Sequence, residues 1–300
     1  MNKKIRFPHI DEYSKETGLS SEILKEAFNI ENYFHKLLIK EKNDIVREKL
    51  YREFYKKLLS FYGRTGNDEN QKINIEKKNK QVILFGNELK NKSVIDFGCG
   101  EGSFLMNIQK NIPHKKLLGV DIFIPESLKK NKKIEFVSSS IINFKTEKKF
   151  DVAFSDNVLE HLSVLDYEQH LKSVYNSLNP GGKFILILPN RLFGPGDITR
   201  IIDNSSSGKT LAQGGHLNES TYNEMASFLK KTGFINFKSV LPIPILKYSY
   251  LKNFRINIGW IKSIEKNNLL LKFFRKLKIK GRCAIRFTVT IICEKPLIKR

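Results

Sequence analysis

The sequence predicts an α/β fold: a mostly parallel sheet with crossover helices, a helical extension ahead of it and an insertion before its last strand. Three observations lead there. From about residue 76, short apolar runs alternate with amphipathic ones, the rhythm of strand–helix–strand units. Several of those runs end in acidic, amide or glycine residues, which suits a sheet that binds ligands beyond its strands' carboxyl ends. Before them, residues 20–62 repeat apolar positions at helical spacing.

In the extension, Ser20 or Ser21 caps a first helix whose stripe is Ile23, Leu24, Ala27 and Phe28. Asn43 or Asp44 opens a second, with Val46, Leu50, Phe54, Leu58 and Phe61 in register. The run Gly63-Arg64-Thr65-Gly66-Asn67-Asp68 breaks that pattern. Residues 1–75 are too few to bury these stripes alone, so they are expected to pack as a helical lid on a domain spanning 76–300.

Within that domain, strands are predicted at 93–97, 116–120, 134–137, 150–155 and 183–188. A helix over 163–178 stops at Asn179-Pro180-Gly181-Gly182, a turn that cannot continue it. Thr221-Tyr222-Asn223-Glu224 is a capping box, and the helix it opens ends at Gly233. A strand follows at 234–241. Residues 284–293 alternate strictly, with Ile285, Phe287, Val289, Ile291 and Cys293 on one face, which predicts a half-buried antiparallel edge strand. Between these two strands, residues 242–283 exceed any hairpin and form an insertion rich in Lys, Leu, Phe and Tyr, either a lid or a basic surface element. Leu269 to Lys278 mixes apolar and basic residues in a way that also suits peripheral membrane contact.

Composition narrows the classes. At 40% hydrophobic residues the 300-residue chain has the means to build a core, which excludes a disordered polymer. Its 53 Lys and Arg against 31 Asp and Glu give a net charge of +22, which calls for an anionic partner or for lysines spread over solvated faces. Three dispersed cysteines (Cys99, Cys283, Cys293) make neither a disulfide framework nor a four-ligand zinc site, so no metal and a reducing compartment are expected. With no apolar N-terminal run and no membrane-length apolar stretch, the expected location is the cytoplasm.

Three segments carry chemistry. In Asp96-Phe97-Gly98-Cys99-Gly100-Glu101-Gly102 an apolar strand ends in a carboxylate and enters three alternating glycines. The spacing is G-x-G-x-G, not the dinucleotide G-x-G-x-x-G, and Asp96 suits a cationic or zwitterionic ligand better than a pyrophosphate, which argues against a nicotinamide enzyme. Asp121 closes the next strand 25 residues on, placed to accept both hydroxyls of a ribose. In the third, Asp151 to Leu162, a strand passes into a loop bearing Asp156, Asn157, Glu160 and His161.

This order of motifs, D-F-G-C-G-E-G, G-V-D, F-D-V-A-F-S-x-N-V-L-E-H-L and L-N-P-G-G-x-F-I-L-x-L-P-N, resembles the class I S-adenosylmethionine (SAM)-dependent methyltransferases. It is most similar to their small-molecule and glycan branch, over roughly residues 92–234. The resemblance implies a Rossmann-like, seven-stranded sheet of order 3-2-1-4-5-7-6 with strand 7 antiparallel. It implies SAM as cofactor, with Asp96, Gly98 and Gly100 along its methionine part and Asp121 on its ribose. Asp156 and Asn157 then face the methionine moiety. Ser140, beside Ile141, stands where relatives often carry an acidic residue for the adenine amine.

A sulfonium methyl is already activated, so the protein's work is to align the acceptor and exclude water, with a base where the acceptor is oxygen. Of six histidines, His216 is the expected base and His161 its rival; His9, His35, His114 and His170 are expected on surfaces or in packing. Arg191 and Arg200, in the punctuated loop after the fifth strand, either hold an anionic acceptor or pair structurally with Asp197 or Asp203. The leading function is O-methylation of a small-molecule or glycan acceptor. A nucleic-acid methyltransferase is favoured by charge but lacks an appended binding fold or base-flipping motif. A SAM-binding scaffold acting through the basic insertion is the non-enzymatic reading.

Overall fold

A computed structural model describes residues 5–63, 68–242, 248, 250–279, 282–283 and 287–298. Four helices come first: α1 (Ile10–Thr17), α2 (Ser21–Leu38), α3 (Asp44–Gly63) and α4 (Asp68–Leu84). Ser20 caps α2 by accepting from the Ile23 N–H. Short α5 (Gly86–Leu89) leads into β1 (Lys92–Phe97), followed by α6 (Ser103–Asn111), β2 (His114–Asp121), α7 (Glu126–Lys129), β3 (Glu135–Ser138) and β4 (Phe150–Asp156). Then come α8 (Tyr167–Ser177), β5 (Leu178–Leu188), α9 (Tyr222–Thr232), β6 (Ile235–Val240), β7 (Arg255–Asn257), α10 (Ile258–Lys266) and α11 (Asn268–Lys276). A small hairpin of β8 (Lys278–Ile279) and β9 (Arg282–Cys283) precedes β10 (Val289–Glu294).

The main sheet runs β3-β2-β1-β4-β5-β10-β6-β7, parallel through β5 and antiparallel beyond it. This is the expected Rossmann-like order, with β10 in the place of the seventh strand. The eighth strand corrects the expected count. It is β7, drawn from the 242–283 insertion and paired to β6 through Lys238↔Asn257 and Val240↔Arg255, so the insertion covers a sheet edge.

Alternation along the strands feeds two cores. On β5, Phe184, Leu186 and Leu188 face one cluster with α8, α9, α10 and α11, while Ile185 and Ile187 face the other with α4 and α6. The same alternation corrects the reading of the last strand. Val289, Ile291 and Cys293 pack on the first cluster, Ile292 on the second, and Thr290 is buried too, so β10 is interior rather than a half-buried edge. Residues 284–286 of that predicted strand lie outside the described residues.

Other differences are local. Leu159 to His161 and Val164 to Asp166 form 3-10 turns ahead of α8, so the helix starts later than expected. The Asn179-Pro180-Gly181-Gly182 segment already belongs to β5, with Gly181 at φ 77° and its N–H donating to the Lys295 carbonyl. Helices α1 and α4 are additions to the two predicted ones; the lysine- and asparagine-rich α4 has only a weak apolar stripe to announce it. In α11 only Leu271 is buried, while Leu269 and Phe273 lie exposed, as does Trp260 of α10.

Helix α3 is held by charge to the turn ahead of α8. Arg47 donates through Nε and Nη2 to the Asp166 carboxylate, Tyr51 donates its hydroxyl proton to the same group at 2.8 Å, and the Ser163 N–H donates to Tyr51 at 2.7 Å. Both ionic side chains are almost fully buried. Removing one partner strands the other charge away from water, so Asp166→Ala is expected to cost about 3–5 kcal/mol in urea denaturation. A loss below about 1 kcal/mol means that water reaches Arg47.

Candidate active site

The glycine loop follows β1 with Gly98 at φ 74° and Gly100 at φ 52°, backbone conformations that side chains resist. A Cβ at Gly98 would run into Val158, whereas one at Gly100 would meet nothing within 4 Å. Close packing therefore explains the first glycine and open space for a ligand the second. The Gly100 N–H donates to Asp121 Oδ2 at 2.8 Å and the Phe123 N–H to Oδ1 at 3.1 Å, which locks the end of β2 to the loop. Each Asp121 oxygen keeps a lone pair for a hydroxyl. Burial raises the Asp121 pKa, and these backbone bonds oppose it.

Two cavities open along the carboxyl ends of the strands. One of about 170 Å³ is lined by Gly98, Asp121, Ser140, Ile141 and Asn157, all expected from sequence, together with Tyr55 and His161. The other, about 500 Å³, is lined by Asp156, Asn157, Asn190 and His216, with Lys77 and Gln81 contributed by α4. Asn157, in a left-handed conformation at φ 55°, belongs to both.

Asp96 lines neither. It is buried beneath the loop, where burial raises its pKa to about 8, opposed by Lys78 and reinforced by Asp156 and Asp121. Asp156 stays ionised despite burial because Lys78 and Gln81 donate to its Oδ2 at 2.7 and 2.8 Å, with Lys77 nearby. Helix α4 thus neutralises the acidic floor of the larger cavity.

The loop after β4 is stitched to residues 214–218. The Glu160 carbonyl accepts from Leu217 N–H at 2.7 Å and Asn218 N–H at 3.1 Å, and His161 Nδ1 donates to the Gly215 carbonyl at 3.0 Å. The His161 and His216 rings stand edge to face with centroids 4.8 Å apart. Burial and the neighbouring His216 push the His161 pKa down to about 3, so this ring is neutral. For His216 burial acts downward too, but its Nδ1 contact with Glu219 Oε1 at 2.6 Å and the charges of Glu160 and Asp197 raise the pKa to about 9. His216, expected as a free base, is therefore cationic near neutral pH, and the neutral imidazole of the pair is His161. Helix α2 backs this loop: the Gly215 N–H donates to Glu31 Oε2 at 2.6 Å, and His35 Nδ1 lies 3.1 Å from the Gly214 carbonyl.

Arg191 and Arg200 line neither cavity. Arg191 pairs with Glu224, the capping-box acid of α9, and Arg200 holds Glu16 of α1 with two bonds of 2.8 and 2.7 Å. Both are spent inside the chain, on partners other than Asp197 or Asp203, and this geometry gives no support to an anion-binding role. His170 is fully buried and bonds the Ile141 carbonyl through Nδ1, a packing role.

A methyltransferase domain family model matches residues 54–238, more than half of the chain. The chain belongs to the methyltransferase domain family. The chain is 28% identical over 181 residues to a malonyl-[acyl-carrier protein] O-methyltransferase of Calditerrivibrio nitroreducens, covering 58% of this chain and 64% of that one. It is 34% identical over 108 residues to a tRNA U34 carboxymethyltransferase of a Sulfurovum species, covering 33% and 35%. The chain therefore spans less than two thirds of the length of these curated relatives. Among solved structures, the 1,6-didemethyltoxoflavin-N1-methyltransferase of Burkholderia thailandensis is similar at 17% identity, with a TM-score of 0.48 over 81% of this chain and 89% of that one.

The residues present fit SAM. The open space at Gly100 and the Asp121 lone pairs suit the cofactor, and Gly98, Asp121, Ser140, Ile141 and Asn157, of the residues that the motifs nominate for it, line the smaller cavity, while Asp96, Gly100 and Asp156 do not. Lys77, Lys78, Gln81, Tyr51 and Tyr55 were not foreseen, because each comes from a helix ahead of the sheet and meets the site only in three dimensions. Glu219 carried a usable signal, standing three residues after His216.

Two outcomes follow from this geometry. Gly100→Val is expected to abolish binding of S-adenosylhomocysteine in calorimetry while circular dichroism stays native, since the new side chain occupies the cradle; retained affinity places the cofactor elsewhere. The second concerns Glu31, whose pKa is raised to about 7 by burial and by Asp197. Its folded-state preference for the neutral acid favours the fold fully below the unfolded value near 4.5 and is lost as pH rises through about 7. Glu31→Gln keeps a neutral group there, so its stability relative to wild type is expected to rise between pH 4.5 and 7.5, by on the order of 3 kcal/mol. Parallel pH curves for the two proteins contradict this.

Proposed function

We propose that this methyltransferase moves the SAM methyl group to an oxygen of a small-molecule or glycan-type acceptor held in the larger cavity. The observation that carries the reading is the junction of the two cavities. Asn157 lines both, His161 lines the cofactor side, and His216 lines the acceptor side within a ring contact of His161. Hydroxyl acceptors need their proton removed as the C–O bond forms, and this seam is where titratable groups gather. The oxygen chemistry named for the malonyl-carrier relative supports the choice of atom. The volume of about 500 Å³ suits a compact acceptor or the end of a carrier-borne one.

An RNA acceptor is the rival, favoured by the +22 charge and by the tRNA-acting relative. Incubation of the protein with methyl-tritiated SAM and fractionated cell extract separates the two. Label is expected in a nuclease-resistant, low-molecular-weight or carrier-bound fraction; label released only by ribonuclease sinks the small-acceptor reading. His161→Ala, which removes the neutral imidazole of the pair, is expected to lower turnover by roughly 10²–10⁴-fold; that loss in His216→Ala instead gives the proton-accepting role to His216. Normal turnover in both excludes the histidines and points to an amine or thiol acceptor.

A further inference from the structure

Glu160, His161 and His216 each offer one donor atom, and these atoms all lie within 4.8 Å of one another. A second observation marks the cluster as more than packing. Glu160 is fully buried, yet its Oε2 has no hydrogen-bond partner among the described residues. A buried carboxylate oxygen left unsatisfied is costly and calls for an unplaced partner. Both imidazoles are already oriented from behind, His161 through Nδ1 to the Gly215 carbonyl and His216 through Nδ1 to Glu219. That leaves Nε2 of each ring as the nitrogen turned away from its orienting partner, and an ion bound at His216 displaces the proton the ring otherwise carries; an outer partner of this kind fixes the heading of a metal-bound histidine.

The geometry points to a divalent transition-metal site formed by Glu160 Oε2 and the Nε2 atoms of His161 and His216, at the seam of the two cavities. Two imidazoles and one carboxylate suit first-row ions such as Zn²⁺ or Mn²⁺ and leave coordination positions open, whereas Ca²⁺ prefers an all-oxygen shell. Ligands about 2.0–2.1 Å from a shared ion stand roughly 3–3.5 Å apart, so donors within 4.8 Å need only side-chain rotation to close on one. This reverses the expectation of no metal drawn from cysteine count, which says nothing of His–Glu sites.

The inference rests on the methyl-transfer reading and deepens it. An acceptor hydroxyl bound to the ion releases its proton to water more readily. Its oxygen then forms a bond to the sulfonium methyl as the C–S bond breaks, and that electron pair stays on sulfur. Histidine then serves as ligand, and the acceptor class narrows to oxygen groups that can reach His216 from the larger cavity.

The test uses the full chain, stripped with EDTA and dialysed, titrated by calorimetry with ZnCl₂, MnCl₂ and CaCl₂, with S-adenosylhomocysteine titrated into the same samples. Saturable uptake of one Zn²⁺ or Mn²⁺ per chain is expected, with little for Ca²⁺. Glu160→Gln combined with His216→Gln is expected to weaken uptake at least 100-fold. Glu219→Gln, which loosens only the orienting bond, is expected to weaken it by about 10- to 100-fold. No saturable uptake by the wild-type chain, or unchanged uptake in the Glu160→Gln, His216→Gln protein, overturns the site. S-adenosylhomocysteine binding without metal uptake overturns the site and leaves the methyl-transfer reading standing. Stoichiometric metal uptake without methyl transfer to any acceptor keeps the site and overturns that reading.

Discussion

The Glu160 carbonyl accepts from two successive backbone N–H groups, Leu217 and Asn218, and so ties a loop leaving β4 to a loop reached only after β5. Both loops are irregular, and nothing in strand pairing sets the distance between them. These bonds, with the His161 contact to Gly215, bring Glu160, His161, His216 and Glu219 into one group although the pairs lie some 55 residues apart in sequence. Backbone bonds are short-range and directional, so the side chains they carry inherit a defined separation. The shape of the seam between the cavities depends on this stitch.

Around it the chain manages buried charge in a consistent way. Asp156, Asp166 and Glu16 are each met by a cation from another part of the sequence, namely Lys78, Arg47 and Arg200. In each of these pairs one member belongs to a helix ahead of the sheet. Helices α1, α3 and α4 therefore do more than shade apolar surface: without them a carboxylate or guanidinium remains in the protein interior, an expensive place for a lone charge. Some of the basic residues are accordingly interior counterions, and because each is matched by one acid the net excess of +22 falls on the rest of the chain.

The parts legible in the sequence were those set by local chemistry. The strand before Gly98, the turn at Gly100, the acid closing β2 and the capping box of Thr221 and Glu224 each announce themselves within a dozen residues, and the structure places them as read. What was hidden depends on distant partners. Arg191 and Arg200 sit in a loop that looks built for an anion, but their carboxylates come from α9 and from α1, some 30 and 180 residues away. The alternating polar residues of β10 read as a solvated face; Thr290 is instead covered and its N–H donates to the Tyr222 hydroxyl at 3.0 Å. Helix α4 passed unseen because its apolar contacts among the described residues, Val82 and Leu84, come only at its end, and the rest of its inward face is Lys78 and Gln81, which pattern reading assigns to solvent.

The position of β10 has a consequence for how the molecule is made. It lies between β5 and β6, and among the described strands it provides the link that joins the β6–β7 ribbon to the parallel half of the sheet. The parallel half, through β5, is complete once Leu188 has been synthesised, whereas Val289 pairs back to Leu188 across a hundred residues. During translation, which delivers N-terminal segments first, the outer edge of β5 is left open until the last strand emerges. The intervening loop, α9 and the β6–β7 ribbon must wait beside that edge. The nascent chain therefore exposes an unpaired apolar strand for most of the synthesis of its final third, the interval in which association with other chains competes most strongly with folding.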